Sequence, residues 1–234
     1  MLAFAGCGAP PRLTVAAASN LTGVFDEIGR AFTEETGIEV VFTYGSTAAL
    51  AQQVDAGAPV DVFAAADTEH IAHLVLKRKI VHHAVYGRGQ LALWSRDASL
   101  KTLKDLTRPE VKFVAIAQPE LAPYGEAAVQ ALRGSGQWDA VQPKLVYAGS
   151  VSQAKQLAAT GNADVALTAY SLVFREPGTV QLIDPSLYAP IDQALGVVAA
   201  SLRADDARKF AAFVLGPKGR AILIQNGYVV QSNP

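Results

Sequence analysis

Four times in this chain an apolar run of strand character stops at small, hydrogen-bonding residues, and a helical period starts directly behind them. Residues 13–17 run into Ala18-Ser19-Asn20, residues 40–44 into Gly45-Ser46-Thr47, and residues 145–147 into Ala148-Gly149-Ser150-Val151-Ser152. Residues 112–117 lead into Gln118-Pro119-Glu120-Leu121-Ala122-Pro123-Tyr124-Gly125. Strand, short turn and amphipathic helix in repeated order predict a sheet with parallel strands covered by helices. Behind the first junction Leu21, Val24, Phe25, Ile28 and Phe32 share one helical face, and Gly37 supplies the expected left-handed stop. Further strands are predicted over 60–65, 91–94, 165–168 and 194–200. Helices are predicted over 125–132, 152–159 and 204–215, and the segment 220–225 completes the series.

Two of the four junctions fall in each half of the chain. The Gly87-Arg88-Gly89 break and the stretch 185–190 bracket the second series. The expectation is therefore an α/β chain of two lobes, each a mostly parallel sheet flanked by helices, with a cleft between them. Lobe one would comprise 12–86 plus 198–234, and lobe two 87–197. Such lobes close around a ligand as on a hinge. With 234 residues, half of them hydrophobic, the chain has enough apolar side chains for this. A net charge of −1 argues against a nucleic-acid partner, which needs a basic face. No uninterrupted apolar run reaches the length of a spanning helix. Residues 1–11 read as a signal remnant and tether. Cys7, the single cysteine, follows Ala5-Gly6 as in the tail of a bacterial lipoprotein signal, and is either a lipidation site or an inert thiol.

Helix N-termini present unpaired N–H groups and roughly +0.5 charge each, so four converging on one point would offer about +2 to a dianion. The hydroxyls of Ser19, Ser46 and Thr47 and the amide of Asn20 add donors. Val151 can take part only through its backbone N–H. None of the four turns carries lysine or arginine, which suits a compact, fully ionised oxyanion better than a nucleotide. Taken singly, each junction reads more simply as helix capping than as binding, and Pro123 as ordinary first-turn chemistry. His70 and His73, with His82-His83, Asp67 and Glu69 nearby, read as a metal site or a solvated face, the latter being the simpler. Gly87-Arg88-Gly89 begins no dinucleotide fingerprint, and no nucleophile–base set is legible.

Ala16-Ala17-Ala18-Ser19, Gly57-Ala58-Pro59-Val60-Asp61-Val62-Phe63 with Ala66-Asp67, and Pro119-Glu120-Leu121-Ala122-Pro123-Tyr124-Gly125 resemble segments of the periplasmic molybdate-binding proteins of ABC uptake systems. Gly216-Pro217-Lys218 through Asn226-Gly227-Tyr228 extends the likeness, which spans about 13–230. The resemblance implies a type II periplasmic-binding fold that holds molybdate or tungstate, molybdenum entering only as the bound oxyanion. It implies a monomeric, non-enzymatic carrier without cofactor that serves an ABC permease, periplasmic or anchored to the outer leaflet through Cys7. The donors it implies are Ser19 with Asn20, Thr47, Tyr124 and Val151. Many members have serine followed directly by leucine and a tyrosine on a later strand. Here Asn20 precedes Leu21 and Ala169 takes the tyrosine's place, which resembles a branch where the Asn20 amide supplies the missing donor and Tyr170 supplies none. The alternatives are a sulfate, phosphate or organic-anion receptor, an enzyme on the same fold, and an adhesion or signalling module. Hydrogenphosphate needs an acceptor, and Glu126, expected to face solvent, is the only nearby candidate.

Overall fold

The structure, a computed structural model, describes residues 12–230; Cys7 and the rest of the expected tether lie outside them. In chain order the elements are β1 (Arg12–Ala18), α1 (Val24–Thr36), β2 (Glu39–Gly45), α2 (Thr47–Asp55), β3 (Val62–Ala64), α3 (Glu69–Leu76), β4 (Ile80–Gly89) and β5 (Leu91–Ser95). They continue as β6 (Val114–Ala117), α4 (Pro123–Gly134), α5 (Trp138–Val141), β7 (Leu145–Ala148), α6 (Val151–Ala159), β8 (Val165–Ala169), β9 (Thr179–Leu182), β10 (Ile191–Val198), α7 (Ala204–Leu215) and α8 (Pro217–Gln225). Two five-stranded sheets result, ordered β2-β1-β3-β10-β4 and β7-β6-β8-β5-β9.

Each sheet is mixed. The pairs β1–β2, β1–β3, β6–β7 and β6–β8 are parallel, whereas β10 and β5 each run antiparallel to both neighbours. Central strands β5, β6 and β8 are buried along their whole length, which is why they read as continuous apolar runs rather than alternating ones. The first sheet keeps β4 through Gly89 and begins β10 at Ile191. Residues 87–89 and 191–197, expected in lobe two, thus pair in the first sheet, and the chain crosses at Gln90 and again before Ile191.

Helix α1 lays Val24, Phe25, Ile28 and Phe32 onto the first sheet. There Phe32 meets Phe210 of α7 edge-on, centroids 5.3 Å apart at 89°, and Phe25 meets Phe42 of β2 and the same Phe210. Burying each phenyl ring contributes about 1.5–3 kcal/mol, so the aromatic cluster fastens α7 to α1 and the first sheet. The opening of α1 differs from expectation. Ser19–Leu21 forms a single 3-10 turn, closed by Thr22 N–H on the Ser19 carbonyl at 3.3 Å, and Gly23 at φ +83° redirects the chain before α1 starts at Val24. Ser19 and Asn20 therefore sit on a turn, not on an α-helix end. Helix charge at the site comes from α2, α4 and α6 alone, about +1.5 rather than about +2.

Candidate functional site

The registers of the parallel pairs align the junctions. Ala18 of β1 is level with Gly45 of β2, so the Ser19 turn and the start of α2 lie side by side. In the second sheet Ala117 is level with Ala148, which sets the 118–124 turn beside the start of α6. Hydrogen bonds then join one sheet's junctions to the other's. Ser152 N–H donates to Ser19 Oγ at 3.4 Å, and Ala48 N–H donates to the Leu121 carbonyl at 3.2 Å. Ser171 Oγ donates to the Asn20 carbonyl at 2.9 Å. All four junctions meet where the two lobes touch, beyond the carboxyl ends of the strands, which is where open α/β sheets bind ligands.

Ser19, Asn20, Ser46, Thr47, Tyr124 and Val151 are all buried there. Capping explains little of this. Ser46 occupies the cap position of α2 without making a side-chain cap bond, and α4 is preceded by Ala122. Only Ser150 caps in the ordinary sense, accepting from Gln153 N–H at 3.3 Å. Three other hydroxyls, those of Thr47, Ser19 and Tyr124, are filled from their acceptor side. Thr47 Oγ1 accepts from Ala66 N–H at 3.2 Å, Ser19 Oγ from Ser152 N–H, and the Tyr124 hydroxyl from Gln193 Nε2 at 3.0 Å. A hydroxyl whose oxygen already receives a hydrogen has its own O–H left to give. Burial raises the Tyr124 and Tyr86 phenols well above their ordinary range and pushes Tyr228 up to about 12, so all three stay protonated donors. Among the described residues no lysine or arginine is buried.

The Asn20 amide behaves differently from expectation. Its Nδ2 donates to Gln193 Oε1 at 2.9 Å and to the Tyr228 hydroxyl at 2.8 Å, which uses both hydrogens, while its buried Oδ1 has no partner. Gln193, fully buried on β10, also accepts from the Tyr86 hydroxyl at 2.6 Å. Gln193, Tyr86, Tyr228 and Ser171 were not legible as site residues. The available signal was a pair of polar residues, Asp192 and Gln193, at the start of the apolar run of β10.

The other candidates are engaged with partners of their own. Glu126 is exposed and accepts from Gln130 Nε2 at 3.0 Å. Tyr170 packs its ring on Phe174, centroids 5.7 Å apart, and Ala169 is buried at the end of β8. His70 pairs with Asp67 at 2.7 Å, and among the described residues no group of three His, Cys, Asp or Glu side chains is placed to hold a metal ion. Asp61, from the Gly57–Phe63 motif, is structural: it accepts from Thr14 N–H at 2.8 Å, Thr14 Oγ1 at 2.9 Å and Ser201 Oγ at 2.6 Å.

Residues 13–229 match the family model described as bacterial extracellular solute-binding protein. The chain belongs to this family. Its similarity to the molybdate-binding protein ModA of Rhodobacter capsulatus is 35% identity over 220 residues, covering 92% of this chain and 87% of that protein. The periplasmic molybdate-binding protein of Azotobacter vinelandii superposes with a TM-score of 0.90 at 30% identity, covering 94% of this chain and 100% of that one. The substrate binding domain of a putative molybdenum ABC transporter from Clostridium difficile matches with a TM-score of 0.71 at 27% identity, over 94% and 99% of the two chains. Both superpositions run over nearly the whole length of this chain. Among the described residues of this family member, no helix is long and apolar enough to cross a membrane.

Proposed function

We propose that this solute-binding protein captures molybdate or tungstate outside the cytoplasm and delivers it to an ABC permease, acting as a monomer without enzymatic turnover. Its two lobes, 12–89 with 191–230 and 90–190, close on the anion at the four junctions. The ligand set is Ser19, Asn20, Ser46, Thr47, Tyr124 and Val151, with Val151 acting through its backbone N–H. One observation carries the reading: the buried hydroxyls of Ser19 and Thr47 each have their acceptor side filled by a protein N–H, so each offers a donor, and no basic side chain is buried with them. Hydroxyl and backbone donors backed by three helix N-termini favour a dianion that has no proton left to give. The protein works in the periplasm, or at the outer leaflet where Cys7 is lipidated.

Calorimetric titration with molybdate, tungstate, sulfate and phosphate tests this. The expected order places molybdate and tungstate tightest. Tightest binding by sulfate or phosphate, or no binding by any of the four, overturns it.

A further inference from the structure

The buried Oδ1 of Asn20 is an acceptor without a donor, in a site whose other side chains are arranged to donate. Gln193 explains how it is held. This side chain lies beside a bulge in the β10–β4 pairing, where Gln193 is opposite Gly87 and Ala194 opposite Val85, and the extra residue is Tyr86 of β4, whose hydroxyl meets Gln193. Room for it comes from Gly89, where an added Cβ would stand 2.4 Å from Gln193 Nε2 and 2.0 Å from the Tyr124 hydroxyl. Gln193 thereby links Asn20 and Tyr86 of one lobe to Tyr124 of the other.

An amide presents oxygen and nitrogen in nearly the same shape, so turning it half a revolution exchanges acceptor for donors. Turning Asn20 alone would set its oxygen against Gln193 Oε1. Turning both amides gives a second complete network on the same heavy atoms. Gln193 Nε2 then donates to Asn20 Oδ1 and to Tyr86, whose own hydrogen goes to the Ala65 carbonyl 2.9 Å away. Gln193 Oε1 accepts from Tyr124, so in this state the Tyr124 hydroxyl hydrogen is spent within the protein and its first-turn backbone N–H is what remains to offer. Tyr228 donates to Asn20 Oδ1, and Ser171 still serves the Asn20 carbonyl. Both Asn20 hydrogens are released from the protein in this second state.

We infer that Gln193 is a positioning and specificity residue whose amide turns together with that of Asn20, and that a fully ionised oxyanion selects the turned pair. The inference rests on the oxyanion reading above. In the first state Asn20 offers an acceptor, which a protonated oxyanion such as hydrogenphosphate can use. In the second it offers two donors, which suit a dianion such as molybdate. Gln193 touches no ligand in either state; it acts by choosing the face that Asn20 shows.

A double-mutant cycle tests the coupling. Wild type, Asn20→Ala, Gln193→Met and the double variant are titrated with molybdate and with phosphate, and thermal unfolding confirms that each is folded. Each single substitution is expected to weaken molybdate about tenfold or more, the equivalent of one charge-assisted hydrogen bond, with a smaller change for phosphate. The double variant is expected to bind within about threefold of the weaker single one, because both remove the same interaction. Additive losses, or equal losses for the two anions, overturn the relay. Where Gln193→Met does not fold, side-chain amide NMR of the wild type decides. Molybdate must shift the Gln193 amide resonances along with those of Asn20, and a shift of Asn20 alone overturns the proposal. A wild-type chain that binds no oxyanion overturns the functional reading itself, whereas tight molybdate binding with an additive cycle overturns only the role of Gln193.

Discussion

Gly125, on the first turn of α4, is where close packing and ligand geometry depend on one missing atom. A Cβ added there would lie 2.2 Å from the Ala117 carbonyl oxygen and 2.8 Å from its carbon, both backbone atoms at the end of β6. Restoring ordinary contact requires the helix start to move by about 1 Å, since neither backbone can yield as a side-chain tip can. Helix propensity alone predicts the opposite, favouring Gly125→Ala by about 1 kcal/mol. Overpacking against rigid backbone costs about 3 kcal/mol, so the net expectation is a loss of about 2 kcal/mol and a melting temperature lower by about 4–8 °C. The shift would also carry Tyr124, one residue earlier, away from Gln193. Binding should weaken beyond what the stability loss explains. Thermal unfolding with parallel molybdate titration measures both. An unchanged or raised melting temperature, with affinity intact, refutes the close-approach argument.

Three further outcomes follow from the same geometry. Thr47→Val leaves the buried Ala66 N–H without its acceptor and removes a hydroxyl donor, so it should cost about 1–3 kcal/mol of stability in chemical denaturation and lower molybdate affinity as well. Asp61→Ala strands three donors and should destabilise by about 3 kcal/mol, yet the folded fraction should keep wild-type affinity in titration, since Asp61 only anchors β1 to the loop around Ser201. The hydrogen bond that the His70 ring donates to Asp67 raises the His70 pKa above its ordinary value, against partial burial. A raised pKa means stabilisation that is complete below about pH 6.5 and lost as pH rises through the folded value. The stability difference between wild type and Asp67→Asn should therefore be larger at about pH 5 than at about pH 9, by no more than about 1 kcal/mol for this partly exposed pair. Equal differences in denaturation at the two pH values contradict the assignment.

Much of the fold was legible because burial on both faces writes itself as uninterrupted apolar runs. Strands β1, β5, β6 and β8 and helix α7 lie where those runs and periods lie. The strands that were missed are half-exposed. β4 carries His82-His83 in its exposed part, has His82 at φ +47°, and pairs with β10 through two register shifts, so neither alternation nor a continuous run survives in it. β9 is a short edge strand exposed over half its length. With β4 unread, the expected lobe boundary fell inside it, at residue 86 rather than after Gly89.

The site divides in the same way. Ser19, Ser46, Thr47 and Val151 could be named because strand ends and helix starts mark them locally. Gln193 and Tyr228 could not, because they reach Asn20 from 173 and 208 residues away, a separation no local pattern encodes. The orientation of the Asn20 amide depends on these distant partners. That is why the residue was legible as part of the site but the spending of its hydrogens within the protein was not.

Anomalous diffraction from crystals grown with tungstate locates the heavy atom without reference to any assumed ligand set. The account predicts a single strong peak enclosed by the Ser19 turn and the starts of α2, α4 and α6, with oxygens about 2.6–3.2 Å from the Ser19 and Thr47 hydroxyls and the Val151 N–H. A peak held instead by a lysine or arginine, or one lying outside the meeting point of the four junctions, contradicts it.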